Sequence, residues 1–148
     1  MVRVSFRAPR DFVYDWCTDY TPGDAKLEGE TYDRRIISRK PRRVVYEDLY
    51  EGDDGWRWSR HEVTLRPPDR WHSESVGNYR HIKVDYRLRP LADGRTELEL
   101  RARRGPSFMP FRPIPKREWE KEIAVAWRRF GRNLERDYRA SKGRARKG

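Results

Sequence analysis

A single cysteine, Cys17, is all the thiol chemistry that 148 residues offer, and it cannot form an internal disulfide. That scarcity sets the expectation of a cytoplasmic protein. Long apolar runs are missing too. No stretch approaches the length needed to span a bilayer, and Met1-Val2-Arg3-Val4-Ser5-Phe6 lacks the apolar region of a secretion signal. Histidine is confined to His61, His72 and His81, and the strand register derived below puts His61 on the opposite face from the other two, which argues against a metal site. There is no glycine-rich phosphate loop and no Ser-His-Asp order in a nucleophile context, so no cofactor is expected.

Charge and aromatic rings are abundant instead. Charged residues make up 40% of the chain against 35% apolar, while six Trp, eight Tyr and five Phe supply large burial per residue. The net charge of +11 raises the question of a polyanionic partner. Five of the basic residues, however, are Arg139, Lys142, Arg144, Arg146 and Lys147, in an acid-free stretch that reads as a basic, disordered tail over 139–148. The remaining excess is spread along strands whose charges mostly pair. Nucleic acid is therefore not favoured as a partner, and one domain is expected over residues 1–138.

The chain is organised around residues 119–138. Trp119, Ile123, Ala126, Trp127, Phe130 and Leu134 recur at steps of three and four, with Glu118, Lys121, Arg128, Arg129, Arg132 and Arg136 opposite. This amphipathic helix must bury two tryptophans and a phenylalanine, and the region upstream of it reads as strands. It must lie against a sheet. Val2, Val4 and Phe6 alternate as in a half-buried strand; after Pro9, Phe12, Val13, Trp16 and Cys17 share one helical face, where Cys17 reads as a small core hydrophobe. Residues 20–29 read as a loop or short broken helix.

Six further strands are predicted at 32–39, 43–51, 56–66, 71–76, 81–89 and 96–103, punctuated by turn residues. A three-residue loop Ala92-Asp93-Gly94 sets Leu88 opposite Leu98, Tyr86 opposite Leu100 and Val84 opposite Ala102, and on the other face pairs Arg89 with Glu97, Arg87 with Glu99 and Asp85 with Arg101. A two-residue turn Gly77-Asn78 would set Ser73 opposite Ile82 and Trp71 opposite Val84, with Trp71, Ser73 and Ser75 inward and His72, Glu74 and Val76 outward. A loop Pro67-Pro68-Asp69 adds Leu65, Val63, His61 and Ser59 to the inward face, and the loop at 52–55 adds Tyr46 and Asp48. A one-residue change in that last loop would instead turn Trp58, Arg60 and Glu62 inward. The preferred register buries Val44, Val63 and Leu65, pairs Glu47 with Arg60 outside and exposes Trp56 and Trp58, which hints at a homodimer contact. Between the last strand and the long helix, residues 105–115 hold four prolines yet carry Phe108, Met109, Phe111 and Ile114, as a lid or an end plug would.

This order resembles the helix-grip fold of the SRPBCC superfamily, which includes START lipid-transfer domains, polyketide cyclase/dehydrase-like proteins and birch-pollen-allergen relatives. Val4-Ser5-Phe6-Arg7-Ala8-Pro9-Arg10-Asp11-Phe12-Val13-Tyr14-Asp15-Trp16 is similar to the opening strand, Ala-Pro turn and helix of that group; Pro41-Arg42-Arg43-Val44-Val45-Tyr46 and the helix at 119–138 also fit. A departure is the segment after the first helix, where many members carry a clearer second helix with a tryptophan. The resemblance implies an α+β architecture, a curved antiparallel sheet of about seven strands around a long C-terminal helix, with a cavity for an apolar ligand between them. It does not imply one chemistry.

The inward register gathers Tyr46, Asp48, Ser59, His61, Ser73 and Tyr86 among Trp71, Val84, Leu88, Ile123, Trp127 and Phe130. A mostly apolar hollow with a few polar groups suits a hydrophobic or aromatic small molecule or lipid, touched by Tyr46, Ser59, His61, Trp71, Ser73, Tyr86, Ile123, Trp127 and the lid residues Phe108, Met109 and Phe111. Two alternatives stand beside a carrier or sensor. His61 flanked by Asp48 can act as general base in a cyclase/dehydratase, with Tyr46 or Tyr86 polarising a ketone. The basic stretch at 139–148 can instead contact anionic lipid or nucleic acid.

Overall fold

The computed structural model describes residues 1–28, 31–53, 55–78, 81–105 and 114–147. Seven strands form one antiparallel sheet: β1 (Val2–Phe6), β2 (Asp33–Lys40), β3 (Arg43–Gly52), β4 (Gly55–Arg66), β5 (Arg70–Gly77), β6 (His81–Pro90) and β7 (Thr96–Arg104). Their spatial order is β1-β7-β6-β5-β4-β3-β2, a meander whose first strand returns to lie beside the last. Helices α1 (Arg10–Thr18) and α2 (Asp24–Glu28) fill the connection from β1 to β2, and α3 (Lys116–Lys147) closes the chain. Pro9 stands one residue before α1 in an extended conformation, where its missing N–H costs nothing.

The apolar alternation of β1 and β7 builds the densest part of the core. Phe6, Leu98, Leu100, Leu88 and Val84 are buried together beneath α1 and α3, with Leu134 of α3 fully enclosed among them. Several contacts hold α3 along this side. The amino terminus of Met1 pairs with Glu120 at 3.0 Å, Glu135 accepts the Arg7 backbone N–H at 3.1 Å, and Trp16 donates its indole N–H to Asp137 at 2.9 Å. Phe12 and Tyr138 rings meet 5.0 Å apart. The helix is thus clamped to β1 and α1.

Most of the expected register is present. Leu88, Tyr86 and Val84 face Leu98, Leu100 and Ala102 across β6 and β7, with Gly94 at φ 80° supplying the left-handed corner that a side chain would resist. Tyr46 faces His61, Asp48 faces Ser59, and Glu47 faces Arg60, so Trp58 is turned outward. The β5–β6 turn is a correction. Ser73 pairs with Val84 and Trp71 with Tyr86, a slip of two residues that leaves every side chain on its expected face. The cause lies in Gly77, which does not turn but continues the ladder opposite Ser59; the bend comes at Asn78, whose side chain bridges Trp56 and Trp58 by donating to the Trp56 carbonyl at 2.8 Å and accepting the Trp58 N–H at 2.9 Å. A Cβ at Gly77 would lie 1.9 Å from the Trp58 carbonyl oxygen.

Helix α3 also exceeds the expected 119–138. It begins at Lys116 and stays helical to Lys147, through most of the stretch whose composition reads as a tail. The sequence there has no proline to stop it.

At Gly131 α3 lies close against the sheet, and a Cβ there would meet the Phe6 ring at 2.9 Å. Alanine should gain about 1 kcal/mol of helix propensity but lose about 1–3 kcal/mol to overpacking against the enclosed ring. We expect Gly131→Ala to lower the midpoint of thermal unfolding, whereas Gly143→Ala, where the added carbon meets nothing within 4 Å, raises it.

Candidate functional site

Where the sheet bends away from α3, a cavity of about 670 Å³ remains. Its apolar end is built from stacked rings. Trp71 and Tyr86, cross-strand neighbours on β5 and β6, lie parallel at 4.7 Å; Trp127 meets Tyr86 edge-on at 5.8 Å and Phe130 at 5.4 Å. Ile123, Ala126 and Trp119 continue the wall along α3. The helical stripe that the sequence marks as core is therefore divided: Leu134 is enclosed, and the residues from Trp119 to Phe130 face the cavity.

The polar end lies under β2, β3 and β4. Arg34 is the charge at its centre, with a side chain only 5% exposed. Its Nε and Nη2 donate to the two carboxylate oxygens of Asp48 at 2.8 and 3.0 Å, and its Nη1 donates to Asp24 at 2.6 Å. The guanidinium also lies 4.2 Å from the Tyr46 ring centre and 4.9 Å from that of Tyr32. Burial opposes the charge, but the Asp48 hydrogen bonds, with Tyr46 and Tyr32, outweigh it and hold Arg34 above its ordinary range.

His61 stacks on Tyr46 at 4.4 Å, and Tyr20 stacks on Tyr46 at 5.1 Å. The His61 Nε2 lies 2.9 Å from the Ser59 hydroxyl and 3.6 Å from Asp48. This alters the expected relation of His61 to Asp48. The carboxylate spends its best hydrogen bonds on Arg34 and reaches His61 only at long range, on the same nitrogen that Ser59 uses, so it does not orient the ring as a general base requires.

Two further groups lose reactivity by burial. Desolvation pushes the Cys17 thiol up, with Asp19 adding to it, so it stays a thiol. Desolvation, then Tyr46 and Tyr86, push the Tyr20 phenol well up against the opposing charge of Arg34, so it remains a neutral hydrogen-bonding group. Tyr20 is held at φ 32°, a left-handed conformation unusual for an aromatic residue, and Arg39 secures the corner by donating to the Asp19 and Tyr20 carbonyls. That corner turns the Tyr20 ring onto Tyr46.

Of the residues picked from sequence, Tyr46, Asp48, Ser59, His61, Trp71, Ser73, Tyr86, Ile123 and Trp127 all line this one cavity. Phe108, Met109 and Phe111 lie outside the described residues. Trp16, Tyr20, Tyr32, Tyr50 and the charged Arg34, Asp19, Asp24, Glu122 and Asp137 also line it and were not picked. Arg34 was hidden by a β-bulge. Counting back from Lys40 opposite Arg43 would put Arg35 and Ile37 inward, but the register shifts between Ile36 and Ser38, so Arg34 and Ile36 take their place. The two histidines on the other face are bound to carboxylates, His72 to Asp85 at 2.7 Å and His81 to Glu74 at 3.3 Å.

A seven-stranded curved antiparallel sheet gripping a C-terminal helix, with a cavity between them, is the helix-grip fold. The aromatase/cyclase ZhuI from Streptomyces sp. R1128 superposes with a TM-score of 0.69 at 17% identity, over 94% of either chain. The di-domain aromatase/cyclase StfQ of the steffimycin biosynthetic pathway gives 0.69 at 13% identity over 91% of this chain, which spans 44% of StfQ. Ara h 8.0201 gives 0.64 at 7% identity, over 89% of this chain and 93% of that one. No family model and no curated protein sequence matches the chain. At these identities the likeness is one of fold. Among the described residues no helix is long and apolar enough to cross a membrane.

Two measurements probe the polar end. Arg34→Met strands two carboxylates, and we expect a loss of about 3–5 kcal/mol in urea unfolding; the double variant Arg34→Met/Asp48→Leu should regain much of it. Asp19, at the cavity rim, is pushed up to about 6 by partial desolvation and then by Asp24, against Arg39 and Arg34. The folded chain holds this proton more tightly than the unfolded one, so the ionised carboxylate opposes folding above pH 6, and the penalty fades as pH falls toward 3.8. Asp19→Asn should therefore raise the melting temperature at pH 7.5, with the gain vanishing below about pH 4.

Proposed function

We propose that the protein binds a flat, largely apolar small molecule with a polar end, acting as a carrier or sensor. The observation that carries this reading is the division of one cavity into an aromatic end, from Trp71 and Tyr86 to Trp127 and Phe130, and a hydrogen-bonding end at Arg34, Asp48, Ser59 and His61. Stacked rings favour planar ligands over flexible chains, because a rigid plane loses little conformational freedom on entry. The polar end is a buried ion network in which one guanidinium already faces two carboxylates, so it suits a hydroxyl or other neutral hydrogen-bonding group better than an anion. Relatives in fold include proteins described as aromatase/cyclases, which accords with a ring-bearing ligand.

A cyclase or dehydratase using His61 is the second reading, favoured by the Ser59 hydroxyl at 2.9 Å and the stacked Tyr46 phenol. The long approach of Asp48 places it behind the binding role.

Native mass spectrometry of the purified protein beside a solvent-extracted sample should reveal a co-purifying aromatic molecule in one-to-one amount. Tyr86→Ala and Trp127→Ala should weaken its rebinding about tenfold or more, while Trp56→Ala on the outer face leaves it unchanged. An empty cavity with no thermal shift across a panel of planar polycyclic and lipid ligands would overturn the reading. Turnover of such a ligand that His61→Ala abolishes while binding persists would establish the enzyme instead.

A further inference from the structure

The convex face of the sheet carries many charges paired with a neighbour of opposite sign. Arg89 bonds Glu97 at 2.8 Å, Lys83 and His81 approach Glu74, and Arg103 and His72 approach Asp85. Across β4, β5 and β6, however, Arg66 stands opposite Arg70 and Arg70 opposite Arg87. Three like charges in adjacent register repel one another, and each such pair is unfavourable. None of the three guanidinium groups has a hydrogen-bond or ion-pair partner among the described residues, and all three residues are exposed. The carboxylate that might have balanced Arg87, its cross-strand neighbour Glu99, is engaged by Arg3 at 3.5 Å and Arg101 at 3.7 Å.

The row is also rigidly held. The Leu88 N–H donates to the Asp69 carbonyl at 2.8 Å, which pins the β4–β5 loop to β6 and fixes Arg70 beside Arg87. A surface groove of about 550 Å³ runs along the row, lined by Arg66, Arg70, Arg87 and Arg101 against the two carboxylates Asp85 and Glu99, both already paired.

We propose that this row is a binding site for a soluble phosphoryl or diphosphoryl anion, separate from the cavity and on the other side of the sheet. Arginine forks match phosphate oxygens two at a time. Two strand spacings put the outer arginines about 10 Å apart, within joint reach of a diphosphate held by the central Arg70. A membrane headgroup is disfavoured because the exposed apolar side chains Trp56 and Trp58 lie at the far end of β4, roughly 27 Å or more along the strand from Arg66. Beside the arginines the exposed apolar groups are only the small rings of Pro67 and Pro68, too little to anchor the row in a bilayer.

Calorimetric titration of the full chain with pyrophosphate, at constant ionic strength with chloride as the balancing anion, tests the site. Saturable one-to-one binding is expected, together with a rise in melting temperature that chloride does not give. Arg70→Gln should weaken binding about tenfold or more. Arg89→Gln, which removes an already paired arginine on the same face, should leave affinity within about twofold. In low-salt buffer without phosphate, Arg70→Gln should melt at the same or a higher temperature than the parent, which separates lost binding from lost folding. Inorganic phosphate binding as tightly as pyrophosphate would assign a single phosphoryl group, and weaker binding a diphosphate. Pyrophosphate affinity unchanged by Arg70→Gln, no stabilisation beyond that of chloride, or binding confined to phosphatidate vesicles would each overturn the proposal.

Discussion

The close approach of Gly131 to Phe6 governs how the rest of the molecule is arranged. With no side chain at that point, α3 settles directly onto the β1 strand, and Leu134, Leu98 and Leu100 close around the contact. A sheet of seven twisted strands cannot follow a straight helix across its whole width. Clamped at β1 and α1, it must part from α3 toward β3 and β4. The hollow is the geometric remainder of one tight seam, and its aromatic lining is the surface that α3 and the sheet would otherwise have buried against each other.

A hollow of this size in a chain so rich in charge raises the question of why it does not simply fill with ions or collapse. Arg34, Asp48 and Asp24 answer it in part. Their mutual hydrogen bonds pair the charges at one end, and the Tyr46 and Tyr32 faces cover the guanidinium. Tyr20, brought over by the corner that Arg39 secures, stacks from the α1 side. The network gives the cavity a fixed polar terminus, so a ligand meets an already ordered set of donors and acceptors.

The path from sequence to structure was legible wherever side-chain alternation and turn chemistry agreed. On β6 and β7 the apolar pairs and the charge pairs demanded the same register, and Gly94 supplied the turn that register needs. The inward set from Tyr46 to Tyr86 followed by counting in twos. What was not legible had local causes that composition does not announce. Gly77 looked like a turn residue but stays in the ladder opposite Ser59, held there by the Asn78 side chain on the β4 backbone, which lengthens β5 and slips its pairing by two. Ile37, the extra residue of the bulge, reverses the parity of β2 and brings in Arg34, the most consequential charge in the site, where simple alternation favoured Arg35. The acids of the rim, Asp19, Asp24 and Asp137, come from helices whose facing depends on the tertiary clamp.

The bulge has an effect beyond the cavity. β2 is an outermost strand of the sheet, with one row of backbone groups unpaired by any neighbouring strand. A flat edge of that kind is a template on which a strand from another molecule can add. An irregular residue at Ile37, followed by Arg39 and Lys40 and then Pro41, breaks the repeat that an incoming strand would have to match. The same single inserted residue that turns a buried cation toward the cavity thus also guards the molecule against edge-to-edge polymerisation.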